Sequence, residues 1–170
     1  VQFSDEGLQS IAEESWGLDN GRVAPGAAPG SPVFTDTFEG GASAAWSNAA
    51  TDASLPGVFT QFSGRHNGIQ TLNLTGLTNG TAYRMTFDLY VLDSWEGNQP
   101  SNGPDILNVF VDGQPQFHEA FSNVLSAPQT YTPNVVGDVL LQIVPVVTGL
   151  ASGKPGEANL FNLRGSGFME

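Results

Sequence analysis

Asp93, Glu96, Asn98 and Asp105 lie within or beside a single glycine- and proline-rich stretch, residues 94–105. All four carry side-chain oxygens, and Gly97 and Gly103 allow the chain between them to turn tightly. Calcium takes six to eight oxygen ligands, from carboxylates, amides and backbone carbonyls, at about 2.3–2.6 Å. The spacing fits no EF-hand loop, so the ligands of such a site must come from several segments. Asp36 and Glu39, in the run Thr35-Asp36-Thr37-Phe38-Glu39-Gly40-Gly41, are candidates from an earlier strand end. Asp19 and Asn20 are candidates from the beginning of the chain. The plainer reading of the same residues is a solvated acidic loop.

Catalytic chemistry is harder to assemble. Glycoside hydrolysis needs two carboxylates roughly 5–10 Å apart. Asp88, Glu96 and Asp105 qualify by type, but nothing in their spacing sets them face to face. The only histidines are His66 and His118, there is no cysteine, and no Gly-x-Ser-x-Gly elbow is present. A nucleophile–base triad and a thiolate zinc site therefore have no raw material. The expectation is a protein that binds or assembles and is not an enzyme. Trp46, Tyr90, Trp95 and Tyr131 could stack on a sugar. Aromatic residues more often fill sandwich cores, and Trp95, inside the acidic loop, is the one candidate platform.

The charge narrows the partners. Five Lys and Arg oppose seventeen Asp and Glu, giving a formal net charge of -12. Such a surface repels phosphate backbones and anionic lipid, and suits divalent cations. Nucleic acid is excluded as a partner. No apolar run approaches the roughly 20 residues of a membrane-spanning helix; the longest, Val139 to Leu150, is broken by Gln142, Pro145, Thr148 and Gly149. Low charge density with 21 Gly and 11 Pro is the composition of an exported β-protein, so an extracellular or cell-surface location is expected.

The elements that must position these residues are strands. Residues 58–62 and 69–75 alternate apolar and polar side chains, as does a long run over 82–93. There Tyr83, Met85, Phe87, Leu89 and Val91 share one face, and Arg84, Thr86, Asp88 and Tyr90 the other. Residues 106–111 and 116–121 flank Asp112-Gly113, a hairpin signature. Further strands are expected at 129–132, 139–147 and 159–164, and residues 5–14 carry a weak helical pattern. Many short strands separated by turn signals predict an all-β, jelly-roll-like antiparallel β-sandwich with an N-terminal extension strand.

The run Ala24-Pro25-Gly26-Ala27-Ala28-Pro29-Gly30-Ser31-Pro32 contains nothing apolar larger than alanine and reads as a linker. It divides the chain into a head at 1–23, a linker at 24–32 and a sandwich body at 33–170. The head echoes the tail. Gly7, Leu8, Ser10, Leu18, Asn20 and Arg22 recur, at one constant spacing, as Gly149, Leu150, Ser152, Leu160, Asn162 and Arg164. A second copy of a closing strand on a tether is what strand addition to a neighbour needs. The head is therefore expected to be a donor strand, with Trp16, Leu18 and Val23 as the inserted residues, in a self-associating filament. Packing on its own domain, or being the stub of a preceding domain, are the alternatives.

The run Phe87-Asp88-Leu89-Tyr90-Val91-Leu92-Asp93-Ser94-Trp95-Glu96-Gly97-Asn98, then Gly103-Pro104-Asp105 and Val109-Phe110-Val111-Asp112-Gly113, resembles a bacterial extracellular domain of large surface and adhesin-type proteins. Phe59-Thr60-Gln61-Phe62-Ser63-Gly64-Arg65 is similar to an earlier element of that domain. Glu14-Ser15-Trp16-Gly17-Leu18-Asp19-Asn20 resembles its closing strand, which usually stands last and here stands first. The tail, Glu157-Ala158-Asn159-Leu160-Phe161-Asn162, lacks that strand's Trp-Gly and Asp. The resemblance implies a calcium-stabilised β-sandwich without established catalysis. Together these readings predict a surface filament or surface-layer subunit, with a carbohydrate-binding or adhesion module as the alternative.

Overall fold

The alternating runs become strands that lie in two antiparallel sheets. The computed structural model describes residues 1–25, 31–53, 61–79, 81–124, 127–131, 140–144 and 158–165. Its strands are β1 (Gln2–Glu6), β2 (Glu14–Pro25), β3 (Phe34–Asp36), β4 (Ile69–Thr71), β5 (Tyr83–Asp93), β6 (Ile106–Val111), β7 (Gln114–Ala120), β8 (Leu140–Val144) and β9 (Ala158–Gly165). One sheet has the order β4-β1-β6-β7 and the other β3-β2-β5-β9-β8. No helix occurs among the described residues, and none is therefore long and apolar enough to cross a membrane. The chain is an all-β sandwich, as its turn-rich patterning predicts.

The core lies between the sheets. Phe3 from β1 and Leu107 and Val109 from β6 meet Trp16 and Leu18 from β2 and Phe87, Leu89 and Val91 from β5. Phe3 and Phe87 touch edge to face across the two layers, with ring centroids 5.2 Å apart. Such aromatic contacts add about 0.5–1.5 kcal/mol beyond area burial.

The head belongs to this core. β1 is hydrogen-bonded between β4 and β6, and β2 between β3 and β5, so the first 25 residues supply an interior strand to each sheet. Trp16, Leu18 and Val23 are buried in their own chain. The expected division at 23/24 and 32/33 is corrected accordingly. Ala24 and Pro25 finish β2, Val23 stands opposite Phe34, and the Val33 amide donates to the Val23 carbonyl at 2.8 Å. The proline-rich run thus joins two antiparallel neighbours of one sheet and does not separate two bodies. Residues 26–30 lie outside the described residues.

The helical pattern at 5–14 is also corrected. Gly7, at φ +84°, lies against the Pro104 carbonyl, where a Cβ would come within 2.0 Å of the oxygen. A single turn follows, in which the amides of Glu13 and Glu14 both reach the Ser10 carbonyl at 2.8 Å. The close approach at Gly7 ends β1, and β2 begins one turn later. Residues 129–131 form no strand; Tyr131 donates its amide to Ala120 beside β7. Most of the expected strand at 58–62 lies outside the described residues, as does Thr132.

β5 departs from simple alternation. Its second half, from Phe87 to Asp93, is buried on both faces. The segment Phe62–His66 runs along the part of β2 that β3 does not reach, with Ser63 N bonded to Leu18 O and a Trp16–His66 bridge. Its Phe62 ring covers Tyr90 at 5.2 Å between centroids. Gly17 makes room for it: a Cβ there would lie 2.5 Å from Phe62 Cδ2.

Candidate metal centre

Three segments deliver one carboxylate each to a single point. Glu14 is the first residue of β2, Glu96 follows β5, and Asp105 immediately precedes β6. One oxygen from each lies within 4.8 Å of the others. Glu14 and Asp105 have no solvent exposure, and Glu96 is half-buried.

The loop after β5 is shaped to make this meeting. Gly97 adopts φ +67°, and a Cβ there would lie 2.3 Å from the Pro128 carbonyl oxygen. That turn aims the amides of Glu96 and Gly97 at Asp105 Oδ2, the second at 3.1 Å. Asp105 returns its own amide to Gly97 O at 2.8 Å. A Cβ on Gly103 would approach the same Gly97 oxygen at 2.6 Å, so the loop closes on glycines at both ends. Trp95 pins the loop to the head by donating its indole N–H to Ser15 O at 3.0 Å.

Half of the acceptor capacity is left over. Glu14 Oε2 accepts the Gln9 amide at 2.5 Å. Glu14 Oε1, Glu96 Oε2 and Asp105 Oδ1 are buried without a hydrogen-bond partner. Burial pushes the Glu14 carboxyl up to about 8 against the Gln9 amide hydrogen bond, with the close side-chain approach of Glu96 and then the Asp105 and Glu96 charges adding to the rise. Burial likewise raises Asp105 to about 6, against the amide hydrogen bond from Glu96. Like charges brought together out of water must be neutralised by protons or by a cation. The nearby guanidinium of Arg65 does not serve: it pairs with Asp93 at 2.5 Å and Asp52 at 3.7 Å. The three unpartnered oxygens would supply half of a six-ligand calcium shell.

Of the residues expected to bind metal, the structure brings Glu96 and Asp105 together and disperses the rest. Asp93 is the buried partner of Arg65. Asn98 is exposed, and its amide bonds to Pro128 O. Asp36 organises the loop after β3, accepting from Phe38 N, Ser43 N and Trp46 Nε1 at 2.8, 2.8 and 3.0 Å. Glu39 is exposed and accepts the Gln61 amide at 3.0 Å. Asp19 is tied to Asn20 N and Tyr90 OH, and Asn20 donates to Asp88 at 2.7 Å. Asp19 and Asp88 face each other on β2 and β5, roughly 16 Å along the strand from Glu14, so they share no ion with Glu96. Glu14 is the member that spacing could not reveal, because nothing local links residue 14 to residues 96 and 105.

Other expected chemistry is used for packing. Trp95 is fully buried, which corrects its candidacy as a sugar platform, and Trp46, Tyr90 and Tyr131 are also buried. Ser63 Oγ contacts His66 Nε2 at 3.0 Å and accepts the Leu18 amide at 2.8 Å. Both side chains are buried, and burial lowers His66 to about 4. This serine–histidine pair is a structural joint between β2 and the Phe62–His66 segment.

Comparison of the chain with protein-family models, with curated proteins and with solved structures gives no match.

Proposed function

We propose that this chain is a non-catalytic structural domain of an extracellular surface protein, its two sheets clamped by one calcium ion at Glu14, Glu96 and Asp105. The supporting observation is the set of three buried carboxylate oxygens that lack partners and converge from three segments. Glu14 belongs to the sheet of β2 and β5, and Asp105 leads into β6 of the other sheet, so an ion between them joins the layers. The same ion joins the head to the body. Calcium suits the site better than magnesium, which demands near-ideal octahedral geometry and keeps its waters, whereas Glu14 and Asp105 are dry. The strongly acidic chain favours cation uptake in a calcium-rich extracellular setting.

The direct test is titration of chelator-treated protein with calcium by calorimetry, paired with terbium luminescence sensitised by Trp95, the neighbour of Glu96. One saturable site, lost in Glu14→Gln, supports the reading. Absence of both heat and sensitised emission removes it.

A further inference from the structure

We propose that residues 1–25 exchange between copies of this chain, so that the head of one copy fills the two interior strand positions of the next. The inference goes beyond the calcium clamp and does not depend on it.

The head behaves as one removable plug. It occupies the gap between β4 and β6 in one sheet and between β3 and β5 in the other. Without it each sheet loses an interior strand, and Phe3, Trp16, Leu18 and Val23 leave the core. A body so opened has strand edges and an apolar slot shaped to this sequence. Gly17 must sit under Phe62, the Trp16 amide must reach His66 O at 3.0 Å, and Trp95 must find Ser15 O. The complementary occupant is therefore a second copy of the same segment. Its one covalent tie to the body is the proline- and glycine-rich connection between β2 and β3.

Both ends of the chain are adapted to the same strand. β2 and β9 flank β5 on opposite sides, both antiparallel to it. Thr86 stands opposite Arg22 on one side and Arg164 on the other, and Asp88 opposite Asp19 and Asn162. At Arg22 and Arg164 the head–tail echo of the sequence is thus an echo in space, whereas Leu18 and Leu160 stand opposite different residues, Leu89 and Tyr90. A tail kept in place and a head passed onward leave β5 flanked on both sides in every copy. Exchange preserves every head contact, so association is opposed mainly by lost translational and rotational freedom. A head passed onward is a heterologous joint, which builds chains or rings, and a reciprocal swap closes a dimer.

The chain has no cysteine, which makes a disulfide trap unambiguous. Gln2 on β1 faces Thr71 on β4, and Arg22 on β2 faces Thr35 on β3; each pair joins head to body. The variants Gln2→Cys/Thr71→Cys and Arg22→Cys/Thr35→Cys would each be oxidised across a concentration series and run on non-reducing gels. The expected result is a ladder of covalent dimers and higher species that collapses to single chains on reduction. Single chains closed by an internal disulfide at every concentration, in both variants, overturn the proposal. Free thiols in both overturn it too, since a paired head must bring them together wherever it docks. Two pairs on different sheets guard against one variant that does not fold.

Discussion

Glu14, at the start of β2, and Asp105, just ahead of β6 in the other sheet, meet fully buried, each with one carboxylate oxygen that has no hydrogen-bond partner. A ligand that binds only the folded state at 100 times its Kd adds about 2.7 kcal/mol. For a domain of this size that corresponds to about 5–10 °C in Tm. Calcium should therefore raise the melting temperature of chelator-treated protein by that order. Glu14→Gln, nearly isosteric with a protonated Glu14, should leave the metal-free melting point within about 2–4 °C and abolish the calcium shift. Differential scanning fluorimetry with and without chelator reads both.

Asp93→Ala separates the clamp from its neighbour. Asp93 is almost wholly buried against Arg65, whose side chain is 28% exposed. Losing this partly screened pair should destabilise the fold by about 1–3 kcal/mol. The calcium shift should survive, because Asp93 holds Arg65 and not the ion. A variant that folds but no longer responds to calcium would place Asp93 in the metal shell.

Acid should act through His66, whose burial lowers it to about 4 from an ordinary 6.5. The neutral ring is the folded form, so between these values the unfolded chain binds more protons. The contribution is fully present above pH 6.5 and is lost as pH falls towards 4, a change of roughly 3 kcal/mol. Asp19 and Asp105, both raised to about 6 chiefly by burial, and Glu14, raised to about 8, work in the opposite sense over part of this range. The comparison that isolates the histidine is wild type against His66→Phe by urea melts from pH 7 to 4. The variant should lack the His66 part of the slope; identical slopes would show that the ring does not titrate on unfolding.

Gly97→Ala tests the loop. A Cβ there meets the Pro128 carbonyl oxygen at 2.3 Å on a backbone at φ +67°, so the turn that aims two amides at Asp105 must open. Overpacking of this kind costs typically 1–3 kcal/mol. Calcium affinity should fall with stability, because Glu96 and Asp105 are positioned by the same turn. An unchanged calorimetric titration would detach the loop from the site.

The sequence is most legible where one face of a strand meets the core and the other meets water. β6 matches its expected bounds, and β5 and the Asp112-Gly113 hairpin follow directly from alternation and turn chemistry, with Asp112 at φ 48° and Gly113 at φ 78°. Alternation is less informative in β2, where Glu14 through Asp19 are all buried because β5, the opposite sheet and the Phe62–His66 segment enclose them. Proline content was a poor guide at 24–32: it marks a connection but does not say whether the flanking strands pair. The candidate site was half visible. Glu96 and Asp105 share a loop whose glycines advertise a turn, whereas Glu14 reaches them only through the register of β2 on β5, where it faces Asp93.

The placement of the head also sets an order of events on the ribosome. The head is made well before its partners: Val1 N bonds to Leu72 O, and Trp16 pairs with Val91. Such non-local pairing slows folding, because a long loop must close before any contact rewards it. Until β4, β5 and β6 have emerged, Phe3, Trp16 and Leu18 have no core to enter. Until then the nascent head is a sticky, unpaired segment, the stage at which chaperone contact or capture by another chain is most readily made.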